Sequence, residues 1–229
     1  MKKIVLSFLA IAGVLTFNAC KKSNPAPTNN ASVMFVHGCV SGTSNINLDG
    51  RANNTTVSGA GNMSFSKPSG YLSVAAGSNV DLSFFVTGLN TLVDQTVSLT
   101  ANTHYTAFAG GSITAPSFVF TSDDLTAPAS GNVKVRFVNL SPDNLTMSCY
   151  VGTGTPKIDS NVSYKGCTPF IEIAATTGKI GMIDQATPIN SGLITSQTLT
   201  AGKIYTFMFT GTATGSGSSG YMLTAITNN

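Results

Sequence analysis

The chain contains no tryptophan, only two histidines and only nine acidic residues. The first absence excludes a tryptophan platform for sugar rings. Charged residues form 9% of the sequence, against about 25% in ordinary soluble domains. The polar surface must therefore be built from Ser, Thr, Asn and Gly, which suits an extracytoplasmic β protein better than a cytosolic helical one. The formal charge of +3 falls to +1 once Lys2 and Lys3 are set aside with residues 1–19. That balance offers no field to steer nucleic acid or an anionic membrane surface. No Cys-x-x-Cys or His-x-x-x-His spacing occurs, and a closed zinc site needs four nitrogen or sulfur ligands. His37 and His104 fall opposite Asn139 and Ile204 when the two halves are aligned, so a metal or catalytic role would belong to one half only. There is no Gly-x-Ser-x-Gly elbow and no repeated carboxylate pair, so no nucleophile–base arrangement is visible. The expectation is a chain without catalytic residues, metal or cofactor: not an enzyme.

What the sequence does contain is one stretch that occurs twice. Leu99-Thr-Ala-Asn-Thr-His-Tyr105 is echoed by Leu199-Thr-Ala-Gly-Lys-Ile-Tyr205, at an offset of 100 residues. The Leu-x-Ala-x-x-x-Tyr spacing reads as a tyrosine corner, in which the Tyr hydroxyl bonds backbone just upstream. Tyr105 and Tyr205 are the two corner residues. With 229 residues there is room for two domains of about 100 residues each.

The N-terminus predicts an address. Lys2 and Lys3 precede an apolar stretch from Ile4 to Phe17, too short for a stable transmembrane helix. It ends at Phe17-Asn-Ala-Cys20. A small residue before Cys resembles a bacterial lipobox of the kind found in lipoproteins of the Bacteroidetes group. Residues 1–19 then form a signal peptide and Cys20 carries lipid. The alternative is an ordinary secretory signal with Cys20 incidental. Residues 20–31, with Pro25 and Pro27, cannot form a core and read as a tether. The expected location is the bacterial cell envelope, on an outer-membrane lipoprotein, with periplasmic and outward-facing placements both open.

From residue 32 onward the period is two. Val33 and Phe35 alternate with Met34 and Val36. Ile46 and Leu48, Leu72 and Val74, and Val80, Leu82, Phe84 and Val86 each share a face. About seven or eight short strands fit residues 32–126, at the spacing of a sandwich. Asp123 to Gly131 is rich in turn residues and reads as a hinge, with Asp123 and Asp124 as a solvated turn. Residues 132–229 repeat the pattern. Val133, Val135 and Phe137 alternate with Lys134 and Arg136, and Leu145, Met147, Cys149 and Val151 share a face. The predicted fold is all-β: two tandem immunoglobulin-like antiparallel β-sandwiches.

Val135-Arg-Phe-Val-Asn-Leu-Ser-Pro-Asp143 resembles the opening of a bacterial family, the domain of unknown function numbered 4397. Val33 to Gly50, Ser69 to Gly77, the Leu-Thr-Ala corners and Phe118 to Asp124 resemble it as well. The resemblance covers nearly all of residues 32–229. The first half lacks the Ser-Pro-Asp turn, and the second has Asn139 where the family usually shows His. It implies secreted or envelope-attached modules and supplies no catalytic residues.

Two further pairs stand out. Cys149 and Cys167 are close enough in sequence for an intradomain disulfide in an oxidising compartment, which would add about 3 kcal/mol. The alternative is three buried thiols, with Cys39. Tyr71 and Phe170 recur at matched positions, opposite in parity to the inward residues. They are either exposed contacts for a glycan or peptide, or rings that pack under a loop or between domains. The chain thus reads as a monomer anchored through its lipid, a spacer or adhesion module meeting a protein or glycan in the envelope and no nucleic acid. A carbohydrate-binding accessory lipoprotein is the alternative.

Overall fold

The structure, a computed structural model, describes residues 29–42, 46–152, 157–186 and 192–229. Residues 1–28, with the expected signal peptide, Cys20 and most of the expected tether, lie outside the described residues. The first set of strands is β1 (Asn30–His37), β2 (Leu48–Ala52), β3 (Thr55–Thr56), β4 (Pro68–Ala75), β5 (Gly77–Val86), β6 (Thr91–Leu99), β7 (His104–Ser112) and β8 (Ala115–Asp123). The second is β9 (Asn132–Asn139), β10 (Met147–Gly152), β11 (Lys157–Val162), β12 (Ile171–Ala174), β13 (Thr177–Asp184), β14 (Gly192–Thr198), β15 (Ile204–Thr210) and β16 (Met222–Thr227). No α-helix occurs among the described residues.

These strands form two all-β sandwiches. The first pairs a β4-β1-β7-β8 sheet with a β3-β2-β5-β6 sheet, and the second pairs β12-β9-β15-β16 with β11-β10-β13-β14. The two strand orders are the same, position for position. All pairs are antiparallel except β1 with β7 and β9 with β15. In the immunoglobulin order ABED/CFG the first strand lies at a sheet edge. Here β1 lies between β4 and β7, so the two-sheet architecture is shared while the connectivity differs.

Period-two patterning explains each core. Val80, Leu82, Phe84 and Val86 on β5 meet Val33, Phe35 and Leu48 in the first sandwich. Phe35 and Phe84 cross-link its sheets edge to face, 5.8 Å apart. Val135, Phe137, Met147, Cys149, Met182 and Phe207 fill the second, where Phe137 stacks on Phe207.

A third apolar layer lies between the sandwiches. Met34 and Val36 of β1, Phe108 of β7 and Val119 of β8 pack with Val138, Leu140, Met208 of β15 and Ile226 of β16. The β4-β1-β7-β8 and β12-β9-β15-β16 sheets thus face each other, giving four stacked layers with a core in every gap. Burying one such side chain gains roughly 1.5–3 kcal/mol, and domains joined by a large apolar interface do not move independently. The hinge expected at Asp123–Gly131 is accordingly tied down. Lys134 Nζ donates to Asp124 at 2.6 Å, and the Ala129 N–H and Asn132 Nδ2 both donate to Glu172 Oε1.

Both sandwiches point the same way. The chain enters β1 at the tyrosine-corner end, where Asn102 N–H donates to Asn30 O and Ala76 N–H to Asn29 O. The β8–β9 connection and Asn228, bonded to Ile204 O, lie at that same end. The opposite pole is closed by Gly111 N–H to Leu140 O and by Ser219 Oγ to Gly42 O.

Candidate functional site

The structure concentrates its buried polar groups in the seam between the sandwiches. Arg136 on β9 is 1% exposed and Asp123, at the end of β8, shows 0% of its side chain, with Nη1 and Oδ1 2.6 Å apart. Arg136 Nε donates to Thr206 Oγ1 at 2.8 Å and its Nη2 to Thr106 Oγ1 at 3.0 Å. Thr106 Oγ1 and the Tyr71 hydroxyl each donate to Asp123 Oδ2 at 2.5 Å. Asn228 closes the set: its Nδ2 donates to the Tyr71 hydroxyl at 3.1 Å and its Oδ1 accepts from Thr206 Oγ1 at 2.8 Å. Burial, and then the Asp123 charge, push the Tyr71 hydroxyl well above its ordinary pKa. The reading of Asp123 as a solvated turn is corrected here. A carboxylate without solvent persists because a guanidinium, a hydroxyl and a phenol compensate it. Asp124, its neighbour, is the exposed one, and its bond from Lys134 lowers its pKa to about 2.

Tyr71 and Phe170 are both half-buried in this seam. Tyr71 spends its hydroxyl on Asp123 and packs its ring edge to face with His104, 5.1 Å between centroids. The Arg136 guanidinium covers Phe170 at 4.4 Å. Tyr71 is thus packed between the domains through Asp123 and Asn228, while Phe170 keeps part of its ring at the wall of an open cleft.

The disulfide between Cys149 and Cys167 is not formed, and both residues are thiols. Strand parity is the reason. Cys149 points from β10 into the second core. Cys167 bridges Val138, whose side chain faces the other sandwich, and packs with that third layer. A whole sheet separates them. Cys39 is the third thiol, and burial raises its pKa to about 12.

Both corner tyrosines accept a bond from upstream backbone: Thr100 N–H to Tyr105 at 3.1 Å and Thr200 N–H to Tyr205 at 3.2 Å. His37 is buried, its Nε2 3.1 Å from Ile46 O and its Nδ1 accepting from Cys39 N–H at 3.3 Å. Desolvation lowers its pKa to about 4. A neutral imidazole with both nitrogens engaged holds backbone together. No group of three or more His, Cys, Asp or Glu able to hold a metal occurs among the described residues. Two open clefts flank the seam. One, of about 440 Å³, lies between Thr121, Ser122 and Asp124 and the Cys167–Phe170 segment. The other, of about 390 Å³, lies between Asn102–His104 and Asp123–Thr126.

The sequence reading missed Arg136, Asp123, Thr106, Thr206 and Asn228. A signal was present. Met34 and Val36 on β1, and Val138 after Arg136 on β9, make the supposed outer faces apolar too, and strands buried on both faces lose their alternation.

Two stacked β-sandwiches, joined by an apolar layer with a buried ion pair, define an all-β protein whose distinctive chemistry is internal. Residues 31–150 match the family described as a domain of unknown function, DUF4397, a span that takes in the first sandwich, β9 and part of β10. The chain belongs to that family. No curated protein matches it.

Proposed function

We propose that this protein is a lipid-anchored component of a bacterial cell envelope, acting as a spacer or adhesion module through a rigid pair of tandem modules of one family, and that it is not an enzyme. The supporting observation is the polarity of the body. The chain enters at the tyrosine-corner end, so a lipid on Cys20, with a short Pro-containing tether, would leave the opposite pole facing outward. The welded seam lets the two modules act as one body, which suits a spacer or an adhesion element. The shared strand order supports the second sandwich being a second copy of the module. The carbohydrate-accessory alternative is weakened at Tyr71, whose hydroxyl is committed to Asp123.

The test is protease shaving of intact cells, with Cys20→Ala as control and mass spectrometry of the released peptides. Release of residues 32–229 from intact cells, together with loss of envelope retention in the variant, supports a surface lipoprotein. Retention of the Cys20→Ala protein in the membrane fraction would overturn the anchor. Protection of the domains until the outer membrane is opened would move the protein to the periplasmic side.

A further inference from the structure

The seam relates the two sandwiches by an approximate two-fold axis along the strands. Strand pairing sets the equivalences. Met34 pairs with Thr106 on β7 and with Tyr71 on β4. Arg136 pairs with Thr206 on β15 and, one step beyond Val135 with Ile171, stands beside Phe170. Asp123 stands opposite His104, and Asn228 bonds to Ile204 at the same place on the second sheet. So Met34 corresponds to Arg136, Thr106 to Thr206, Asp123 to Asn228 and Tyr71 to Phe170. Across the seam β4 faces β16, where Asn228 reaches Tyr71 and Thr224 reaches Ser66. β8 in turn faces the segment entering β12, across the cleft between Thr121 and Phe170.

The surface is therefore of one design, used twice, with its charge split. Arg136 on the second face meets Asp123 on the first. By the same axis the pair that corresponds to it is Met34 and Asn228, and neither residue is charged. Had two first faces met, each would bury Asp123 against Met34 of its partner. Had two second faces met, each would bury Arg136 against an amide. An uncompensated buried charge is among the costliest contacts a protein can make, and such clashes are how related surfaces reject wrong partners.

We propose that Arg136 and Asp123 form a pairing code: the inner face of the first sandwich is a docking surface that accepts a sandwich of the second type and rejects its own type, within one chain and between two copies of this chain. Two-fold self-complementarity lets the same contact close within a chain or reciprocally between chains.

The test uses the full chain carrying Cys20→Ala. Asp123→Arg places two cations in the seam and Arg136→Asp places two anions. Each variant alone is expected to lose at least about 5 °C in melting temperature, the shift a cost of a few kcal/mol produces at this size. Mixed in equal amounts after partial unfolding and refolding, they present complementary faces to each other, and a species of twice the monomer mass is expected. Asp123→Arg with Arg136→Asp in one chain is expected to restore a monomer. Because charge reversal can also disturb Thr106 and Tyr71, a gentler cycle stands beside it. Asp123→Asn and Arg136→Met install the residues the counterpart positions carry. Each single variant is expected to be destabilised, and the double to recover most of the loss. Recovery together with the mixed dimer supports the code. Additive losses in the Asn/Met cycle, with no mixed dimer, would overturn it.

Discussion

His37 and Asn139 do one job with different side chains. Each ends the central strand of its inner sheet. Asn139 Nδ2 donates to Leu145 O and Val162 O, and its Oδ1 accepts from Ser141 N–H two residues on. His37 Nε2 reaches Ile46 O, and Nδ1 accepts from Cys39 N–H, also two residues on. Both side chains latch the loop that carries the chain from the inner sheet to the outer one. An imidazole and a carboxamide can each offer a donor and an acceptor about one ring apart.

His37→Asn is therefore expected to be nearly neutral at pH 7, within about 1 kcal/mol, whereas His37→Ala leaves a buried carbonyl and N–H unmet at about 1–3 kcal/mol or more. Urea denaturation of the two variants beside the parent separates these outcomes. Equal losses would remove the latch role.

The same latch makes stability pH-dependent. His37 has its pKa lowered to about 4 from 6.5. Between those values the unfolded chain binds a proton that the folded chain does not. Stability is thus full above about pH 6.5 and declines as pH falls toward 4, by on the order of 3 kcal/mol in all. Asp124, lowered to about 2 from 3.8, adds a loss only further down, as pH falls through that lower range. Denaturation midpoints at pH 7.5, 5.5 and 4.5 test this. His37→Asn should flatten the upper part of the profile and leave the lower part unchanged.

Gly38 is the hole into which the second sandwich inserts. A Cβ there would stand 2.8 Å from both Leu140 Cδ1 and Met208 Sδ. Gly38→Ala is expected to cost about 1–3 kcal/mol by overpacking, and with Leu140→Ala in the same chain the two losses are expected to sum to less than their separate values. Thermal melts of the three variants give the coupling. A Gly38→Ala protein of parental stability would show that the layer yields freely.

Tyr105→Phe and Tyr205→Phe each remove one corner bond, worth about 0.5–1.5 kcal/mol. The first should cost more, because Tyr105 is only 7% exposed and its bond is partly sheltered, whereas the Thr200–Tyr205 bond is exposed. Equilibrium unfolding of both variants shows the order.

Alkylation of the unfolded protein without reductant is expected to label Cys39, Cys149 and Cys167 alike. A Cys149–Cys167 linked peptide in the mass spectrum would contradict the placement of the two thiols on opposite sides of a sheet.

The strands, their inward faces and the two corners were legible because their signals are local. A period of two along β5, or a Leu-Thr-Ala-x-x-x-Tyr spacing, needs only neighbours along the chain. The matched positions of Tyr71 and Phe170 were legible for the same reason, but their surroundings were not. Arg136 sits among Lys134, Val135 and Phe137, and by alternation alone it belongs on an outer face. It is buried because Thr206, 70 residues later, and Asp123 of the other sandwich cover it. Cys149 and Cys167 lie 18 positions apart in sequence, yet parity sends them to different layers.

The sequence by itself determined an all-β chain with two similar halves, because backbone alternation and turn chemistry act over a few residues. Only the tertiary structure decided what covers each sheet's second face. That choice rests on shape and charge matching between distant strands: a leucine over a glycine and an arginine against an aspartate, in a layer buried between two sheets.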